Sequence, residues 1–453
     1  MVNSNELQQE RISIFHDVHD NKIPKRVPVN ISLTFEVIAQ FGNLDLEKVQ
    51  WNSELIYDAA DNMCRTVYSD VCLFIGSFRY PSYYQVLKSQ SFVMASNGFI
   101  QHPEVMGMYS EDYDYLIENP YECIIERILP RQYKAIDWNA PINSALTLMR
   151  GFLAYNNEFA QANLVMQNLI QKYGYYPRNP MNYGFTETPF DFLADQLRGF
   201  KGISKDIRKI PDKIAAACDA LYPLVFTKGL PKEVSQYGHV FIPLHMPAFM
   251  REKDFEKLYW PTFKRMVEEY AALGIRCNLF CEHDWIRYLD YLYDLPADSV
   301  LMFEYGDPKI IKQKLGKKHI ITGLYPLINL KTKTPEQCAD EAKRYIDILA
   351  PGGKYIFGFD RSPLLLSDFN IESLRAVAET VRDYGVYSNP GETAGLQFNK
   401  KKYNVQPLNI FKSKYLMSWN QYKLSDNKLS DFAQQKLEDI EENVFNFIMF
   451  LLL

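Results

Sequence analysis

The sequence predicts an α/β fold, a (β/α)8 TIM-type barrel with an N-terminal lid-like insertion and a C-terminal extension. Three observations carry that expectation. Short β-branched or apolar runs alternate with longer helical patterns over most of the 453 residues. Eight such runs stand at 27–33, 70–76, 180–186, 239–245, 276–282, 299–305, 318–324 and 354–360. Helical segments between them argue for parallel βα units, and a count of eight favours closure over an open sheet. The expected division is a barrel over 1–397, with 77–150 as the insertion, followed by an extension over 398–453.

Residues 80–133, rich in Tyr, Pro and acidic side chains, give connections too long for a bare barrel, and inserts above a barrel mouth commonly act as lids or binding loops. The second half is more regular. Phe255, Leu258, Tyr259, Phe263, Met266 and Val267 have helical spacing, Gly274 is a C-cap, and Pro261 predicts a kink or a break. Asp307-Pro308 opens the next helix and Gly316 closes it. Thr334-Pro335-Glu336-Gln337 is an N-cap followed by Pro and an acid in the first turn, and Pro351-Gly352-Gly353 ends that helix. Asn370 caps a last helix over 371–384. The tail ends in the apolar run VFNFIMFLLL and could pack on the barrel, join two subunits as a homodimer, or be partly disordered.

Composition removes several classes of function. A formal net charge of −5 and the lack of a long Lys/Arg block argue against a nucleic-acid partner. The polar N-terminus lacks the apolar stretch of a secretory signal, and no run is long enough to span a bilayer, so no membrane is expected. Seven scattered cysteines do not form a disulfide framework and suit a reducing, cytoplasmic setting. Walker-type loops, GxGxxG helices, GxSxG elbows and CxxC pairs are missing, which leaves nucleotide, dinucleotide and serine-hydrolase chemistry without support.

The densest chemistry lies in Arg276–Trp285, RCNLFCEHDW, where a buried strand runs into Glu282, His283 and Asp284. Strand alternation predicts that Cys281 and His283 share one face, so that a thiol and an imidazole reach one metal ion, with Glu282 on the other face. A catalytic zinc usually takes three protein ligands, and His245, Asp360 and Glu304, each at a strand end, are candidates for the third. Asp360 is taken as the metal ligand, while His245 and Glu304 are taken as catalytic proton carriers. Asp307 is read as a helix N-cap rather than a site residue. His102 in the insertion, Tyr183 on the 180–186 strand and Glu282 are the substrate-binding candidates.

From about residue 180 to 387 the order of elements resembles the uroporphyrinogen decarboxylase-like superfamily. The landmarks are Pro180–Thr186 (PMNYGFT), Phe192–Gly199 (FLADQLRG), the Cys281 strand, Thr322-Gly323-Leu324-Tyr325-Pro326 and Tyr355–Asp360 (YIFGFD). The resemblance implies a (β/α)8 barrel. The true decarboxylases carry an Arg-rich signature after the first strand, where this chain reads Val29-Asn30-Ile31-Ser32-Leu33-Thr34-Phe35-Glu36, so a polycarboxylate porphyrinogen is not the expected substrate. The corrinoid-linked methyltransferase branch is closer. Its zinc motif, His-x-Cys plus a Cys on the last strand, falls on Leu279, Cys281 and Phe359 or Asp360, so only Cys281 is kept.

The resemblance therefore implies methyl transfer between a small methylated compound or carrier and a corrinoid protein, with zinc near Cys281 and His283. A decarboxylase or lyase of a small carboxylic acid is the alternative. A non-catalytic small-molecule-binding member, suggested by the departure at Leu279, is another.

Overall fold

The computed structural model describes residues 3–77, 79–404, 412–425 and 428–453. Its centre is a parallel sheet of six strands in sequential order, β1 (Tyr183–Phe185), β2 (His239–Leu244), β3 (Cys277–Asp284), β4 (Val300–Tyr305), β5 (Ile320–Tyr325) and β6 (Gly358–Phe359). Helices join consecutive strands, as parallel pairing requires. The principal ones are α1 (Ser4–His19) and α2 (Pro141–Tyr173) before the sheet, then α3 (Pro211–Gly229) and α4 (Trp260–Leu273). The set continues with α5 (Pro308–Leu315), α6 (Pro335–Leu349) and α7 (Ile371–Tyr384), and α8 (Gln434–Phe450) lies near the end of the chain.

The expected strands at 27–33 and 70–76 are present only as isolated parallel bridges, Val29 to Phe357 and Leu33 to Phe74. The reason is local. The Val29 amide donates to the Asp70 carboxylate at 2.7 Å and the Ile31 amide to the Ser69 hydroxyl at 3.3 Å, so side chains replace part of the ladder. No closed ring of strands forms among the described residues. The mixed α/β architecture and its parallel sheet are therefore narrower than an eight-strand closure.

The caps follow their residue types. Thr334 and Gln337 form a reciprocal capping box on α6. Asp307 accepts from the Lys309 amide at 2.8 Å, which makes it the N-cap of α5. Asn370 caps α7, and Gly274 ends α4 with a left-handed φ of 87°. Pro261 breaks the 254–273 pattern as expected. A wide π-turn over Phe255–Tyr259 precedes it, and the proline sits in the first turn of α4, where its missing N–H costs nothing. Gly184 has a packing role, since a Cβ there would lie 1.9 Å from the Gly229 carbonyl oxygen at the end of α3.

Burial alternates along the sheet and shows which face is which. On β2, Val240, Ile242 and Leu244 are buried while His239, Phe241 and Pro243 are half-buried. On β3, Cys277, Leu279 and Cys281 are buried while Asn278, Phe280 and Glu282 are half-buried. The first row belongs to the hydrophobic core, with Phe255, Tyr259 and Phe263 of the helix layer, and the second borders cavities.

The flanking regions close over the strand ends. Residues 77–150 contribute a helix at Pro81–Leu87 and a two-strand hairpin, Val93–Met94 with Ile100–Gln101. The apolar end of the chain packs inward: Phe447 and Phe450 meet Tyr155, and Met449, Leu451 and Leu452 are buried. That burial explains the ten-residue apolar run without a membrane, and among the described residues no helix is long and apolar enough to cross one.

Candidate active site

A cavity of about 490 Å³ lies beyond the carboxyl ends of β2 and β3. The strands supply Pro243, His245 and Glu282 to it, and the loop and helical turn after β1 supply Glu187, Asp191 and Asp195. Arg79, Phe92, His102 and Glu104 of the 77–150 region cover it, and Leu451 and Leu452 complete the wall. Ligand sites of parallel α/β sheets occur at this end, where loops from several strands converge.

His245 is the centre of the polar arrangement. Its Nδ1 lies 3.0 and 3.1 Å from the two carboxylate oxygens of Asp195. That hydrogen bond raises the imidazole to about 9 against the opposing effect of burial, with the Glu282 charge adding to the rise. The ring is therefore charged at neutral pH, with Nδ1–H donating to Asp195. Asp191 fixes the neighbouring backbone, accepting from the Met246 amide at 2.9 Å and from the Tyr259 hydroxyl.

Three of the carboxyl groups hold protons more firmly than usual. Burial pushes Glu187 well above the ordinary range, and the charges of Asp195 and Asp191 push it further. One oxygen of Glu187 accepts from the Gln196 amide at 2.7 Å, and the other is buried without a hydrogen-bond partner among the described residues. Burial followed by the Asp195 charge moves Asp191 up to about 7. Glu282 is raised by burial, and its neighbour His245 opposes the rise. The cavity thus contains a store of protons beside a charged imidazole, a combination that concentrates at sites of acid–base chemistry.

No family model matches this chain, and no curated protein does either. The assignment of the site rests on its geometry.

The expected pairing of Cys281 with His283 is corrected. Cys281 lies in the core row and is completely buried, and burial, with Glu282 nearby, raises its thiol well above the ordinary value. His283 adopts a left-handed φ of 59°, and the β3–β4 register shifts between Cys281 and Asp284. This bulge re-aims the side chain, which breaks the two-residue periodicity on which the same-face expectation depended. The His283 ring lies half-exposed, 6.1 Å from that of His245. Glu282, placed on the opposite face by the same expectation, is the β3 side chain that lines the cavity.

Asp360 is committed elsewhere, accepting from the Leu327 amide at 3.0 Å. Glu304 accepts from the His283 amide at 2.7 Å and pairs with Arg361 at 3.4 Å, so it braces the bulge outside the cavity. Among the described residues, no group of three or more His, Cys, Asp or Glu side chains is disposed to hold a metal ion. Cys281 faces the core while the bulge turns His283 outward, so these two do not meet as a pair of zinc ligands. His102 stacks on Phe92 within the cavity wall, and burial and Arg79 lower its pKa. Tyr183 stands apart, in a separate inner chamber, with its hydroxyl donating to the Tyr237 carbonyl at 3.1 Å.

Sequence reasoning missed Glu187, Asp191, Asp195 and Arg79. A signal for the acids exists. Glu187 continues the alternation of Tyr183 and Phe185 past the strand end, and Asp191 and Asp195 follow at i,i+4 spacing.

Proposed function

We propose that this chain is an enzyme that moves a methyl group between a small methylated compound, neutral or cationic, and a corrinoid carried by a partner protein. The scaffold in this reading is a (β/α)8 barrel of the uroporphyrinogen decarboxylase-like type. The 27–33 segment, bridged in parallel to Phe357 on one side and to Phe74 on the other, supports that scaffold, as does the Tyr176 amide bonded to the Asp70 carbonyl. The observation that carries the chemistry is the meeting of His245–Asp195 with the proton-holding Glu187 and Asp191 in one cavity.

In the proposed step, the bond between the methyl carbon and its heteroatom breaks and the heteroatom keeps the electron pair. From a neutral ether or amine the departing heteroatom is an anion that a proton from Glu187 or His245 neutralises, whereas a cationic donor departs already neutral. The methyl group passes as a cation equivalent to an electron pair of the acceptor. Such general acid assistance is worth about 100- to 10,000-fold. The corrinoid, when bound with its partner, would supply the methyl acceptor. A neutral or cationic substrate fits the charge of the wall, because the protonated acids can release protons as a positive group enters.

The test is incubation with a panel of methylated amines and methyl ethers, with free reduced cobalamin as acceptor, and mass spectrometry of the demethylated product. Turnover is expected, falling by about 100-fold in His245→Ala. Carbon dioxide release from small acids without demethylation would replace this reading with a carboxy-lyase. Tight binding of a panel member with no turnover would replace it with a binding protein.

A further inference from the structure

A second chamber, of about 120 Å³, lies against the inner face of the sheet. Three of its strand side chains, Tyr183, His239 and Asn278, precede by two positions the row Phe185, Phe241 and Phe280, whose neighbouring rings stack at 6.1 and 6.5 Å. Glu187, Pro243 and Glu282, two positions further on, line the acid-rich cavity already described. The phenyl row therefore lies between two compartments with different chemistry.

The inner chamber is cationic. Among the described residues no aspartate or glutamate lines it, whereas Arg178 and Arg361 both do. Arg361 is engaged at its end by Glu304 at 3.4 Å. Arg178 has only a neutral partner: its guanidinium donates to the Asn30 amide oxygen at 2.9 Å, and no carboxylate pairs with it among the described residues. A half-buried guanidinium without a counter-ion is costly, and its planar donors match a carboxylate or phosphoryl group.

Unused polar groups surround it. The Asn278 amide nitrogen lies 3.4 Å from His239 Nε2. If that amide donates, the imidazole is neutral with its proton on Nδ1, and this nitrogen is buried with no hydrogen-bond partner among the described residues. Burial first and Arg178 second depress His239 to about 3, in keeping with a neutral ring. The Asn278 amide oxygen is likewise buried and unpartnered. A cation and an idle imidazole N–H around a cavity that no acid among the described residues lines constitute a prepared anion site. The Asn278 oxygen is left as an acceptor for a hydroxyl beside the anion.

We propose that this chamber binds the anionic head, carboxylate or phosphoryl, of a small ligand, with Arg178 as its charge partner, the His239 Nδ1–H as a donor to it and the Asn278 amide holding that imidazole. The site is independent of the reaction performed in the acid-rich cavity and stands whether or not that reaction is methyl transfer.

The experiment is calorimetric titration of the full-length chain with inorganic phosphate and, separately, with acetate, at constant ionic strength. Saturable binding of at least one anion is expected, with Arg178→Gln weakening it by about tenfold or more and Arg178→Lys retaining part of it. Glu282→Gln, in the other cavity, is expected to change it by less than about twofold. Binding of phosphate alone assigns a phosphoryl ligand, acetate alone a carboxylate ligand, and both a shared anion pocket. A measurement on the wild type guards against misfolded variants: the bound anion should protect Arg178 from phenylglyoxal, read by peptide mass mapping. No saturable binding of either anion, unchanged affinity in Arg178→Gln, or no protection of Arg178 would overturn the proposal.

Discussion

At the scale of single residues, the site is governed by where protons reside. His245 is raised from 6.5 to about 9 because Asp195 accepts its Nδ1–H. A group whose folded pKa lies above its unfolded value contributes stability that is complete below about pH 6.5 and lost as pH rises through about 9. Asp195→Asn should therefore lower the His245 titration midpoint, read by NMR of the ring protons, toward the ordinary imidazole value. The gap in melting temperature between wild type and variant should be larger at pH 6 than at pH 9.5.

Glu187 has the same sign for a different reason. Burial raises it above 4.5, so the fold accommodates its neutral form and loses stability as pH climbs above that value. Glu187→Gln, neutral at every pH, should melt higher than wild type at pH 8 and alike at pH 4. It should also lose the proton transfer assigned to this carboxyl. Cys281 gives the contrasting case. A completely buried thiol in the core row predicts that Cys281→Ala costs about 1–2 kcal/mol in a denaturant titration and leaves turnover unchanged.

At the scale of elements, the end of β3 decides which residues reach the cavity. Through Glu282 the strand alternates regularly, and then His283 turns to a φ of 59° while its amide is held by Glu304 at 2.7 Å. A non-glycine residue in that conformation is strained by about 1–2 kcal/mol. His283→Gly should relieve part of this strain, whereas His283→Val should destabilise by a similar amount or more, as measured by thermal unfolding. The i,i+4 pair Asp191 and Asp195 acts similarly at the start of the helical turn after β1. Asp191 holds the backbone beside His245, and Asp195 holds its imidazole.

At the scale of the whole molecule, segments distant in sequence close one site. Arg79 and His102 precede the sheet, Glu187 to Glu282 belong to its strand ends, and Leu451 and Leu452 come from the far end of the chain. Phe447 is packed against Phe152 and Tyr155 of α2, so Phe447→Ala should cost about 3–5 kcal/mol. It should also raise KM more than it lowers kcat, because α8 carries the wall of the cavity rather than its acids.

Much of the local structure was legible because its causes are local. Asp307, Thr334, Asn370 and Gly274 act within one or two turns of their helices, and the central and C-terminal strands are marked by their own apolar runs. The same runs marked His245 and Glu282 as strand-end residues, although alternation set Glu282 on the face away from the expected metal pair. The inward direction of each strand was not readable, because Cys281 and Glu282 differ by one position and either parity satisfies an apolar run. Only packing against Phe255 and Tyr259 placed Cys281 in the core.

The sequence alone determined an α/β chain with parallel βα units, its helix caps, and a concentration of acid and imidazole near strand ends. Tertiary structure decided which face of each strand met the cavity, that Asp195 holds His245, and that Glu187 is buried deeply enough to keep a proton. It also decided that Ser69 and Asp70 interrupt the ladder at 27–33. The division has one physical origin. Propensity and capping depend on neighbours in sequence, whereas desolvation, charge pairing and facing depend on groups brought together from 50 or more positions away, as Asp195 and His245 are.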